Sequence, residues 1–184
     1  MDIRNIHKDS QAILEQLFTR LDHINTMVFY YRPDGKIYCM SRTFESDDEK
    51  QYTFDYYSKI LMLENALAYS FISEMWFSTV AEKDYKPDIR PMHRSDRKEG
   101  VLIVTVKKTS TKCISSMYEI LRSENSKELK YLKNMGKFQD NVRLFERCYV
   151  KHPIPDKVKK ELSHVIDMIP WRFEVDQSFH STEV

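Results

Sequence analysis

A chain of 184 residues, 41% hydrophobic and 12% aromatic, can bury a core of its own, which excludes wholesale disorder. Only 3 glycines are present, which argues against a glycine-rich phosphate loop and against architectures that need many tight turns. The net charge of +1 hides an asymmetry: 14 Lys/Arg against 17 Asp/Glu in residues 1–100, 14 against 6 in 101–160, and 1 against 5 in the last 24. The basic 101–160 region is therefore a candidate surface for an anionic partner, although such charges also serve simply to keep a protein soluble.

The N-terminal MDIRNIHKDSQAILEQLF lacks a cationic start followed by a long apolar run, so no secretory signal is expected. No segment approaches the roughly 20 apolar residues of a membrane span. The cysteines Cys39, Cys113 and Cys148 are odd in number and widely spaced, which suits a reduced, cytosolic protein.

Asp9 or Ser10 is placed to cap a first helix, in which Ile13, Leu14, Leu17, Phe18, Leu21 and Ile24 recur at helical spacing. TMVFYYR and KIYCMS, joined through Pro33-Asp34-Gly35, predict a β-hairpin. The acidic TFESDDEK lacks the ligand spacing of a calcium loop and reads as an exposed loop or helix start. Residues 51–69 predict a largely buried helix, with Phe54, Tyr57, Leu61 and Ala68 on one face.

FISEMWFSTV is open to two readings, an extension of that helix or a strand, and its aromatic and β-branched content favours the strand. Residues 81–98 read as a long polar loop, and 101–106 as a strand buried on both faces. After a Thr109-Ser110-Thr111 turn, 113–121 is its hairpin partner. The spacing of Leu129, Leu132 and Met135 points to a helix broken by Gly136. Pro155-Asp156 opens a last helix striped by Val158, Leu162, Val165, Ile166 and Ile169. The sum is an α+β fold, an antiparallel sheet of two or more hairpins packed against about three helices. It is expected as a single domain over residues 1–176 with a loose tail at 177–184.

The stretch PMHRSDRKEG, residues 91–100, concentrates His93, Asp96, Glu99, Arg94, Arg97 and Lys98 just ahead of the buried strand. It admits three readings. A metal-dependent nuclease or hydrolase would use Asp88, Asp96, Glu99 and Lys98, echoing a PD…D-x-K pattern in which carboxylates hold the ion and the lysine positions a water. A nucleic-acid contact would use Arg90, Arg94, Arg97 and Lys98 for phosphates and Trp76, Phe77 or Tyr85 for stacking, yet four acids lie among the six cations of residues 82–98. A salt-bridged lead-in to the strand needs no function at all.

The six histidines make no HExxH or H-x3-H pair, so no metal site is expected and no cofactor is called for. Cys39 and Cys113 read as small buried hydrophobes, and Cys148, beside Arg147, lacks a nameable base.

SEMWF (73–77), PMHRSDRKEGVLIV (91–104), EILR (119–122) and MGKF (135–138) occur in an order that resembles a family of small uncharacterised bacterial and phage proteins. Its segments are E-x-W, P-S-x-H-P-D-R-x-E, I-x-R and G-R-[FM]. The matching positions are Glu74, Trp76, Pro91, Asp96, Arg97, Glu99, Arg122 and Gly136. Arg94 stands where the pattern has histidine, Ser95 where it has proline and Lys137 where it has arginine, so no catalytic histidine carries over. The resemblance implies a shared fold and a cluster of Glu74, Asp96, Arg97 and Glu99. The combined expectation is a non-enzymatic protein that binds a macromolecule, a protein partner first and nucleic acid second, as would suit a phage or mobile-element accessory protein.

Overall fold

The computed structural model describes residues 2–79, 84, 89–108, 113–124, 126–132 and 155–175. The first helix, α1 (Ile3–Arg20), starts earlier than Asp9 or Ser10, because Asp2 takes the cap and its carboxylate accepts from the Arg4 amide at 3.1 Å. Ser10 is instead buried mid-helix, its hydroxyl donating to the Ile6 carbonyl at 2.9 Å. The hairpin forms as expected from β1 (Met27–Tyr31) and β2 (Ile37–Ser41). Gly35, at φ +85°, follows the turn that Pro33 and Asp34 initiate; its amide donates to the Arg32 carbonyl at 3.1 Å.

The acidic run opens α2 (Asp47–Leu63), where the Ser46 side chain accepts from the Glu49 amide and three carboxylates sit in the first turn. This helix stops before residue 69. Asn65, at φ 52°, is a left-handed C-terminal cap, with Ala66 N–H donating to the Leu61 carbonyl at 2.9 Å and Asn65 N–H to that of Met62 at 3.1 Å. The turn releases Ala68 and Tyr69 into β3 (Ala68–Phe77). Nor is α2 largely buried: one face, including Phe54, Tyr57, Ile60 and Leu61, packs inward while Tyr52 is exposed.

β4 (Lys98–Lys107) and β5 (Cys113–Arg122) pair antiparallel; the turn at 109–112 lies outside the described residues. Cys39 is buried, which pushes its thiol up to about 12, whereas Cys113 is exposed at the start of β5, against expectation. Leu129 belongs to a strand rather than a helix. The Ser123 amide donates to the Ser126 carbonyl at 2.8 Å, and β6 (Lys127–Tyr131) pairs antiparallel with β5, setting Leu129 against the core and Tyr131 against Tyr118. Residues 133–150, with Gly136 and Cys148, lie outside the described residues.

The last helix, α3 (Asp156–Val165), runs through a short 3-10 turn into β7 (Arg172–Glu174), a strand not anticipated. Arg172 secures it: its buried guanidinium lies 4.0 Å from the Tyr38 ring centroid, donates to the Tyr30 hydroxyl at 2.8 Å and pairs with Glu64 at 3.1 Å.

The result is an α+β fold with one antiparallel sheet of order β6-β5-β4-β3-β1-β2-β7. Its two faces build separate cores. α1 covers the face bearing Phe29, Ile72, Val101 and Ile103, and α2 with the end of α3 covers that bearing Tyr30, Met40, Phe71 and Val104. No helix among the described residues is long and apolar enough to cross a membrane.

α1 is docked by a polar contact as well as by its apolar face. Buried His7 meets Thr105 Oγ1 through Nδ1 and Ser116 Oγ through Nε2, both at 2.8 Å, and Thr105 meets Ser70 at 2.8 Å. Gln11 also donates to the Ser116 hydroxyl at 3.2 Å, so a second side chain of α1 reaches the same oxygen.

Two outcomes follow from this packing. A Cβ on Gly100 would meet the Tyr118 carbonyl oxygen at 2.6 Å and the Phe77 ring at 2.8 Å, so Gly100→Ala is expected to cost about 1–3 kcal/mol in a urea titration. Burial holds His7 below its ordinary 6.5, so the unfolded chain binds a proton that the folded chain refuses. The His7 contribution is complete above pH 6.5 and is lost as the pH falls through the folded value. Urea midpoints of wild type and His7→Gln should show that component absent from the variant.

Candidate functional site

The PMHRSDRKEG stretch forms a 3-10 turn at Pro91–His93, a bend through Arg97 and then the first residues of β4. Strand alternation parts what the sequence puts side by side. Glu99 lies on the α1 face with Val101, next to Trp76 of β3, whereas Lys98 lies on the α2 face and pairs with Glu119 of β5 at 2.9 Å.

Glu74, Glu99 and Arg122 come from three adjacent strands and meet on the α1 face. Arg122 donates to Glu99 at 2.8 and 3.4 Å and to Glu74 at 3.1 Å, and the Glu99 hydrogen bond raises the Arg122 pKa further. His23, just after α1, adds Nδ1 at 3.3 Å from Glu74. Donor atoms of His23, Glu74 and Glu99 lie within 4.8 Å of one another, a set with the chemistry to hold a divalent ion. The Arg122 guanidinium already bridges the two carboxylates and offsets one of their two charges, so an incoming ion would have to displace it.

Asp96 and Arg97 do not join that cluster. Asp96 pairs with Arg94 at 3.0 Å, and Arg90 reaches Asp47 at the start of α2 at 2.8 Å. Arg97 lies over the Trp76 ring, 5.0 Å from its centroid, and donates to the Met92 carbonyl at 2.6 Å. Trp76 and Met92 are each 44% exposed. Of Arg90, Arg94, Arg97, Lys98 and Arg122, only Arg97 has no carboxylate partner among the described residues. Asp88 and Tyr85 lie outside the described residues.

Three features escaped sequence reasoning. His23 enters through a loop and carries no motif. The Ser116–His7–Thr105 arrangement has the spacing of a nucleophile and its base, but Ser116 and His7 are both buried under α1, where no substrate reaches, so it acts as a clasp. The third is an aromatic cleft of about 470 Å³ between α2 and the end of α3, walled by Tyr52, Tyr56 and Trp171. Its residues are over a hundred positions apart in the chain, and their aromatic content is indistinguishable from core.

Arg122→Met should leave Glu74 and Glu99 repelling each other, at a cost of about 1–2 kcal/mol after allowance for partial exposure. Adding Glu74→Gln and Glu99→Gln to that variant should recover part of the loss, read as the shift in thermal midpoint.

The chain matches no protein-family model, no curated protein and no solved structure.

Proposed function

We propose that this protein acts by binding another protein, through a platform formed by Trp76, Arg97 and Met92 at the start of β4. The observation that carries the reading is the stacking of Arg97 on an exposed tryptophan. Trp, Arg and Met are the residue types enriched where interfaces are anchored. The Met92 carbonyl and the Trp76 ring hold Arg97 in place, so little side-chain entropy is lost when a partner arrives.

Charge pairing favours a protein over a nucleic acid. A phosphate backbone is held by several free cations at once. Of the five cations here, Arg90, Arg94, Lys98 and Arg122 each hold a carboxylate, and Arg97 has none among the described residues, which suits a single acidic side chain flanked by an apolar one. The metal-dependent nuclease reading has less support, since Asp96, Lys98 and Glu99 each engage a different partner. A nucleic-acid role through the basic 101–160 region is the second reading, carried by the charge excess there. A phage or mobile-element accessory protein fits either.

The test is a pull-down from native lysate with and without nuclease, using wild type, Trp76→Ala and Arg97→Gln. A stoichiometric protein partner is expected to survive nuclease and moderate salt, and each substitution should weaken capture by about tenfold or more. Recovery of nucleic acid alone, lost as salt rises, would replace this reading with the second.

A further inference from the structure

We infer that the cleft between α2 and the end of α3 binds a small planar aromatic carboxylate. Its volume of about 470 Å³ falls in the range of small-molecule sites. The walls are aromatic and fixed: the Trp171 ring meets Tyr56 edge-on, with centroids 5.8 Å apart, and Tyr57 on its other contact at 5.4 Å. Val165, Met168, Ile169 and Pro170 complete the apolar lining. At the rim, Tyr52 is 69% and Met168 71% exposed, an arrangement that costs hydration and gains nothing until an apolar group enters.

The polar groups define the other end of the ligand. Arg42 lines the cleft and pairs with Glu49 through Nη2 at 2.8 Å, while Nε and Nη1 have no partner among the described residues. Thr53 also lines the cleft, with its hydroxyl oxygen buried. A guanidinium with two free donors, beside rings packed edge to face, selects an anionic acceptor on a flat apolar body.

The test uses the whole protein and the two indole N–H signals of its 2 tryptophans in a nitrogen–proton correlation spectrum, assigned with Trp171→Phe. The probes are 2-naphthoate, its uncharged isostere 2-naphthamide and the non-aromatic cyclohexanecarboxylate. Naphthoate should shift the Trp171 signal saturably while the Trp76 signal stays still, and should bind about tenfold tighter than the amide. Arg42→Gln should abolish that preference. The inference is overturned if no probe moves Trp171, if the amide binds as well as the acid, or if cyclohexanecarboxylate matches naphthoate. The Trp76 signal separates this result from the protein-binding role proposed above.

Discussion

The fold depends on a sheet whose central strands are apolar on both faces. Every residue of β1 is buried, and its alternate side chains feed two different cores. Such a strand cannot face water on either side, so one helix must cover one face and a second helical layer the other. Among the described residues, the covers stop at the strand ends beyond α1 and at the gap between α2 and α3. The Trp76 platform and the aromatic cleft occupy these two places.

Electrostatics at the strand end follow from the same geometry. Three neighbouring strands present Glu74, Glu99 and Arg122 side by side at the margin of the apolar face, where an isolated charge would be poorly solvated. Mutual pairing resolves this for each of them. Arg97 sits one residue before β4, outside the strand register, and finds a ring and a carbonyl in place of a carboxylate. The departure from pairing thus marks where the sheet ends and the loop begins.

Much of this architecture is legible in the sequence, and the misses share causes. Pro33-Asp34-Gly35 announces its hairpin because each residue pre-sets a backbone angle the turn requires. The end of α2 is harder, since Asn65 is a weaker terminator than glycine and the residues after it, Leu67 to Tyr69, continue the helical apolar pattern by accident. β6 and β7 are too short for period-two alternation to show, and both are specified by partners far along the chain. At the candidate site, composition draws attention to one segment but does not show how its residues group. Asp96, Arg97, Lys98 and Glu99 are consecutive letters, yet the bend and the pleat send them to four different neighbours. Arg122 enters only through the E-x-W…I-x-R resemblance, and His23, His7 and Trp171 gain their roles from tertiary contacts alone.

β7 pairs only three residues with β2, but those residues join positions 172–174 to 38–40. With Arg172 gripping Tyr30, Tyr38 and Glu64, the strand closes a loop over most of the sequence. During synthesis the first hairpin therefore leaves the ribosome with the β2 edge uncovered and stays so until residue 174 has emerged. In that interval the edge can recruit another strand, and a nascent chain stalled before Arg172 is the species most exposed to mispairing and to a chaperone's attention.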